Sequence, residues 1–327
     1  SFLGTESKHM KCAAIDIGTV TCRLLIVDVA DGKLTEIVRR CEITNLGVGV
    51  DKTSLLQKDA IERVVNQIKE YVALIDQESA KTSNKDSSTR MPIIAFATSA
   101  ARDAKNSSEL ISRLEELGVK LSVISGTKEA SLSFKGASSC FDNEVLMVVD
   151  IGGGSTEVIF GLAGSDPLFS HSFDIGCRRI TERFLPSDPP SAKELACAAE
   201  YIEKEMTPYF IECLEKLPSS LDRVVAVAGT ATSVVSVDKK MEVYDSDVVH
   251  GTVVSLDVLF RIYHSLALMP LEQRKQVVGL EPQRASVIVA GMLILAVVLK
   301  LAKMNSFTVS ELDILHGILL EEPSNYL

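Results

Sequence analysis

The sequence predicts an α/β protein of two duplicated domains, each a mixed sheet flanked by helices, facing one another across a cleft. Three observations carry this. Residues 147–160 hold an apolar run ending in Asp150, then Ile151, the consecutive glycines Gly152, Gly153 and Gly154, then Ser155, Thr156 and Glu157, and a second apolar run. Both runs are short and rich in Val, Ile and Phe, which reads as a hairpin of two strands. The same design occurs earlier: an apolar run into Asp16-Ile17-Gly18, the hydroxyls of Thr19 and Thr21, and a run from Cys22 to Val27. One Asp-Ile-Gly is a weak signal, but two at the same point of one strand–turn–strand pattern indicate duplication. Finally, 327 residues are enough for two domains of ordinary size.

Taken in order, residues 1–9 have no pattern and read as a leader left by expression, outside the fold, with no signal peptide after it. The first domain is expected over residues 10–130. Strands cover 11–17, 22–28 and 34–43, and a glycine-containing loop covers 45–51. A helix runs from about 56 to 76, with Ile61, Val64, Val65, Ile68, Val72 and Ile75 on one face. The Ser/Lys/Thr-rich stretch 78–90 is an exposed loop. A buried strand at 93–97 leads into Thr98-Ser99-Ala100-Ala101-Arg102. Then come a helix over 107–117, a strand over 121–124, and a helix opening with Ser125-Gly126-Thr127-Lys128-Glu129-Ala130.

The second domain is expected over 131–309. Its glycine hairpin begins at residue 145. A long helix covers 191–217, and a strand over 223–228 runs into the small-residue turn Gly229-Thr230-Ala231-Thr232-Ser233. Helices follow at 255–267 and 284–303, then a strand at 307–309 and a last helix at 312–320. The C-terminal helical stretch, about 310–327, is expected to pack back on the first domain. Residues 285–299 are apolar enough to resemble a membrane span. They are fewer than the roughly 20 needed and include Ser286 and Gly291, so a buried domain helix is the expectation.

A net charge of -10 argues against nonspecific nucleic-acid binding, and an anionic substrate would need a local basic patch. The seven cysteines are odd in number and scattered, with no Cys-x-x-Cys pair. They read as reduced, mostly buried thiols of a cytoplasmic protein. The five histidines do not cluster with them, which disfavours a zinc site.

The triple glycine points to chemistry. Glycine permits φ > 0 and lets backbone N–H groups come close to a ligand, and successive N–H groups make a concave nest for anions. Asp150 and Glu157 flank that nest. Carboxylates beside a phosphate-sized pocket repel it unless a cation lies between, which indicates Mg²⁺. The plain alternative is a tight hairpin with polar tips. The same caution covers other residues: in isolation Glu129 is a helix-start dipole or capping partner, and Arg102 a surface cation. Lys128 is a solvated helix residue, Gly229-Thr230 a strand–helix turn, and His250 and His316 packing residues.

Together these motifs resemble the actin, Hsp70 and sugar-kinase superfamily of duplicated actin-like (ribonuclease H-like) domains. Within it, the chain resembles the exopolyphosphatase and guanosine pentaphosphate phosphohydrolase family. The resemblance rests on Asp16-Ile17-Gly18, residues 97–106, residues 124–130, residues 149–157, residues 175–184 and Ala228-Gly229-Thr230-Ala231. It implies hydrolysis, with Mg²⁺, of the terminal phosphoanhydride of polyphosphate or of pppGpp, the stringent-response nucleotide. It implies that Glu129 is the base for the attacking water and that Arg102 binds phosphate at the reacting centre. Asp150 and Glu157 fall on metal-binding carboxylates. Gly152, Gly153, Gly154, Ser155 and Thr156 fall on the phosphate loop. Asp16, Gly18, Thr19 and Arg23 fall on the first phosphate loop, and Arg179, Gly229 and Thr230 on further phosphate contacts. The implied partners are polyphosphate or guanosine penta- or tetraphosphate, with no nucleic acid and no membrane. A homodimer is allowed, and the cytoplasm is the expected location.

Three positions depart from the family pattern: Val20 and Thr21 where Asn-Ser is usual, Lys128 before Glu129 where a second Glu is common, and Ser286 where Asp is frequent. They bear on substrate choice more than on the reaction. The alternatives are an ATP-using kinase of the same superfamily and a non-hydrolytic binder of (p)ppGpp or polyphosphate.

Overall fold

The computed structural model describes residues 9–81 and 89–321. The expected leader up to residue 8, most of the 78–90 loop and the end of the C-terminal helix lie outside the described residues. The chain divides into two compact units. One comprises the residues up to Ile124 together with those from Ile318, and the other is Ser125–Gly317.

In the first unit, β1 (Met10–Ile17), β2 (Thr21–Ala30) and β3 (Lys33–Ile43) form an antiparallel meander. A single turn α1 (Val50–Thr53) and the long α2 (Lys58–Ala80) follow. Then come β4 (Ile93–Ala97), α3 (Ser99–Asp103), α4 (Ser107–Glu115) and β5 (Leu121–Val123). The sheet order is β3-β2-β1-β4-β5, with β4 parallel to β1 and β5 parallel to β4. The 3.6-residue apolar stripe of α2 buries Ile61, Val64, Val65, Ile68 and Ile75 in one core with Ile15, Leu24 and Ile26. The helix starts at Lys58 rather than 56. Leu56 is held outside it because its N–H donates to Asn106 Oδ1 (2.8 Å) and its carbonyl accepts from Asn106 Nδ2 (2.9 Å).

The second unit opens with α5 (Gly126–Ser138), then β6 (Val145–Ile151), β7 (Thr156–Leu162) and β8 (Pro167–Phe173), again an antiparallel meander. Next are α6 (Cys177–Phe184), α7 (Ala192–Glu215), β9 (Arg223–Val227), α8 (Ala228–Asp238), α9 (Ser246–Val249) and β10 (Val253–Ser255). The rest is α10 (Leu256–Ala267), α11 (Leu271–Arg274), α12 (Ile288–Ala302), β11 (Ser306–Val309) and the start of α13 (Ile314–Leu320), whose residues from Ile318 belong to the first unit. The sheet order is β10-β11-β9-β6-β7-β8.

The duplication is visible strand by strand. β3-β2-β1-β4-β5 corresponds to β8-β7-β6-β9-β11, with the same meander followed by parallel strands, and β10 is an added antiparallel edge. The sequence reading put the domain junction after Ala130, whereas the division falls after Ile124. The reason is that α5 packs into the second core, where Ala130, Phe134 and Ala137 meet Leu146, Val148 and Ile159.

Other expectations need correction. The strand β8 and the helices α3 and α6 were not foreseen. Gly229 and Thr230 sit inside the first turn of α8, not in a turn preceding it. The helix expected over 284–303 is two pieces: a 3₁₀ turn Pro282–Arg284, then α12 from Ile288. Every residue of α12 from Ile288 to Leu299 is buried, and among the described residues no helix is long and apolar enough to cross a membrane.

Candidate active site

In a sheet with parallel strands, ligands are taken at the strands' carboxyl ends, where the chain turns and backbone groups lack ladder partners. The residues singled out from the sequence lie there: Asp16 at the end of β1, Asp150 at the end of β6, Arg102 after β4, and Gly229 and Thr230 after β9.

The Gly152–Gly154 loop is fixed from its carbonyl side. Cys177 N donates to Gly152 O (2.9 Å), Arg178 N and Arg179 N both donate to Gly153 O (2.8 and 3.1 Å), and Arg179 Nε donates to Gly154 O (2.8 Å). The amide end of α6 thus grips three successive carbonyls. Gly152 N closes the turn on Ser155 O at 2.9 Å. Among the described residues, no protein group accepts from the amides of Gly153, Gly154 or Ser155, all of which are buried. Buried N–H groups are nearly always paired, so consecutive unpaired ones form an anion nest. None of the three glycines uses the φ > 0 that glycine permits. Close approach is what the site requires: a Cβ on Gly176 would lie 2.3 Å from Gly153 O.

The first hairpin repeats the device. Gly18 N closes on Thr21 O (2.8 Å), Thr19 O accepts from Gly47 N (2.9 Å), and Val20 O accepts from Thr44 N and Asn45 N (3.0 Å each). Here Gly47 does what Gly176 does in the second unit, since its Cβ would lie 2.1 Å from Thr19 Cγ2. Val20 is buried, so its departure from the family pattern leaves backbone rather than a polar side chain at this tip.

The two hairpins differ in charge. Asp16 pairs in register with Arg23, whose Nη2 and Nε donate to Asp16 Oδ2 at 2.6 and 3.2 Å. At the matching place Asp150 pairs with Glu157. Side chains directly opposite in an antiparallel pair share a face, and like charges there are destabilising. Both are buried, at 8% and 1% exposure. Hydroxyls surround them: Ser133 Oγ donates to Asp150 Oδ2 (2.8 Å), while Ser155 Oγ and Ser172 Oγ donate to Glu157 Oε1 (2.8 and 2.6 Å). Among the described residues, no group of three or more His, Cys, Asp or Glu is arranged to hold a metal ion, so an all-protein cage is absent. Two hard carboxylates beside an anion nest fit Mg²⁺, which is usually held by one or two carboxylates together with substrate phosphate.

Glu129 is the fourth residue of α5 and is 7% exposed. It is not the helix cap, because Ser125 fills that role by accepting from Lys128 N. Ser133 lies one turn further on, so Glu129 and the residue bonded to Asp150 share a helix face. Arg102 Nη1 donates to Ile124 O at 2.9 Å, which ties α3 to the end of β5.

Some assigned side chains are engaged elsewhere. Thr156 is fully buried and its hydroxyl donates to Ile175 O at 2.6 Å, locking the loop to the approach of α6. Thr230 packs on α12, where a Cβ on Gly291 would lie 2.3 Å from its Oγ1. Ala228, just before, is held at φ 75 in the left-handed region, a strain characteristic of functional turns. The sequence reading assigned no site role to Ser133, Ser172, Gly47 or Gly176, nor to Arg284, whose guanidinium packs on Gly229.

A model of the Ppx/GppA phosphatase family matches residues 25–325. Among known proteins, the chain is 35% identical to exopolyphosphatase 2 of Mycobacterium tuberculosis, covering 95% of this chain and 98% of that one. It is 38% identical to the bifunctional 3-dehydroquinate synthase/phosphatase of Fusobacterium nucleatum, covering 96% of this chain but 46% of that longer protein. The crystal structure of the Aquifex aeolicus Ppx/GppA family member superposes with TM-score 0.77 at 32% identity, covering 97% and 99% of the two chains.

Proposed function

The chain belongs to the Ppx/GppA phosphatase family, and from that premise we propose that it removes the terminal phosphate of inorganic polyphosphate or of pppGpp by Mg²⁺-assisted attack of water. The observation that carries this reading is the second-unit loop: three buried amides, from Gly153 to Ser155, beside the carbonyls of Gly152, Gly153 and Gly154 that α6 holds. Such a loop takes a dianionic phosphoryl group rather than a neutral sugar hydroxyl.

Phosphoryl transfer asks for positioning and charge stabilisation more than covalent chemistry. The amides of Gly153, Gly154 and Ser155 hold the oxygens of the terminal phosphoryl group and favour the charge that builds on them. Glu129 accepts the proton of the attacking water. Its burial in the first turn of α5, where the helix amides favour a carboxylate, keeps it oriented. Asp150 and Glu157 would hold Mg²⁺, which when bound neutralises phosphate charge. The first hairpin, with Arg23 braced by Asp16, offers a second set of backbone amides and a guanidinium, and we assign phosphate contacts to it and to Arg102.

The test is phosphate release from polyphosphate and from pppGpp, each with Mg²⁺ and with excess chelator, and with ATP plus sugar acceptors as controls. Release from either phosphoanhydride, suppressed by chelator, is expected. Tight binding without release would assign the chain to the binding class, and phosphate transfer to an acceptor would make it a kinase.

A further inference from the structure

We propose that Ser133 and Ser172 are positioning residues that set Asp150 and Glu157 for the cation. The inference rests on reading those carboxylates as the Mg²⁺ ligands. A serine inside a helix usually turns its hydroxyl back to the carbonyl four residues earlier. This protein follows that habit elsewhere: Ser79 Oγ donates to Ile75 O (2.8 Å), and Ser233 Oγ donates to Gly229 O (2.6 Å). Ser133 does not. It is fully buried, its hydroxyl donates out of the helix to Asp150 Oδ2, and the carbonyl it passes over is that of Glu129. Ser172 stands in register opposite Glu157 on β8 and donates to Glu157 Oε1.

The carboxylates therefore receive hydroxyls from two separate elements, Asp150 from the helix α5 and Glu157 from the neighbouring strand β8. Each such bond fixes which oxygen accepts and hinders rotation of the carboxylate. That matters where two like charges would otherwise swing apart. On the first hairpin the Arg23 guanidinium braces Asp16. Ser133 has a second effect. It joins the helix carrying Glu129 to the strand carrying Asp150, so the proposed base and cation carboxylate are connected through one hydroxyl. Groups that orient metal ligands in this way typically carry about 10- to 100-fold of metal affinity or activity.

The test is direct Mn²⁺ binding to the full chain without substrate, followed by electron paramagnetic resonance, for wild type, Ser133→Ala, Ser172→Ala and Ser133→Thr. Thermal unfolding in chelator establishes that each is folded. The expected result is Mn²⁺ binding about 10-fold weaker in each alanine variant, with recovery in Ser133→Thr. Turnover lost at limiting Mg²⁺ should return as Mg²⁺ is raised. Folded alanine variants that bind Mn²⁺ like wild type overturn the inference, as does a wild type that binds none. If Ser133→Ala does not fold, Ser172→Ala decides by the same criterion. Wild-type phosphate release is measured alongside. Release together with unchanged binding in the variants sinks this inference alone, whereas no release from either substrate sinks the proposed function.

Discussion

Asp150 and Glu157 stand directly opposite one another on β6 and β7, two buried carboxylates where the duplicated hairpin places Asp16 against Arg23. On the proposed reading that this pair holds Mg²⁺, Asp150→Asn should leave the metal-free protein folded, with an unfolding temperature in chelator close to that of wild type. Mg²⁺ should raise the unfolding temperature of wild type but not of the variant. Turnover should fall by at least about 10²-fold, because cation stabilisation of phosphoryl charge is worth several kcal/mol. Thermal unfolding with and without chelator reads the first two effects. A variant markedly less stable in chelator would mean that Asp150 serves the fold instead.

The grip of α6 on the glycine loop makes a second prediction. In Gly176→Ala the new Cβ meets backbone, Gly153 O at 2.3 Å, and the loop must shift. Overpacking of this kind costs about 1–3 kcal/mol, and the amides of the nest would turn with the loop. In Gly47→Ala the nearest atom is the Thr19 methyl at 2.1 Å, the end of a side chain that can rotate. Denaturant unfolding and phosphate release should both show Gly176→Ala as the more damaging change. The reverse order would mean that carbonyl capture by α6 is not what holds the loop.

The thiols test the same contact chemically. Burial pushes the Cys177 and Cys22 thiols up, and Cys12 up to about 11. Thiolate is the reactive form, so each of these is almost wholly protonated at pH 8 as well as covered. Alkylation of the native protein at pH 8, mapped by mass spectrometry, should mark Cys41 and Cys197 first. Cys140 should follow more slowly, because burial raises its thiol too even though the residue is exposed. Cys177 should react only on unfolding. Early labelling there would show α6 leaving the loop.

The buried strands and both Asp-Ile-Gly hairpins were legible because a short continuous apolar run ended by aspartate and glycine is a local signal. The apolar stripe of α2 was equally plain. β8 was not: its sequence, Pro167 to Phe173, is half polar because it is an edge of the sheet, and edge strands lack the continuous apolar run of buried ones. In the site, the carboxylates and glycines could be read, since few other uses bring them together. Ser133, Ser172 and Gly176 could not. Their roles depend on what lies across from them in the fold, and a serine or glycine looks alike wherever it falls. The split before α12 was hidden because Arg284-Ala285-Ser286 carries no glycine or proline to mark the break. Pro282, a residue suited to a first turn, precedes it.

Glu129 bears the last and most decisive prediction. The plain reading of a glutamate at a helix start, as its cap, fails on geometry, because Ser125 caps α5 through Lys128 N and Glu129 lies one residue beyond, 7% exposed. Glu129→Gln keeps size and hydrogen-bonding reach but removes the base. General-base catalysis contributes about 10²–10⁴-fold, and the loss should appear in kcat with KM nearly unchanged, because the phosphate contacts come from the loop amides. Lys128→Glu, which restores the commoner family pair, should act the other way, weakening polyanion binding more than kcat. Steady-state kinetics on polyphosphate and pppGpp, with binding measured independently, separates the two. A Glu129→Gln protein with near-normal turnover of both substrates would move the base to another carboxylate and remove the mechanism proposed for this chain.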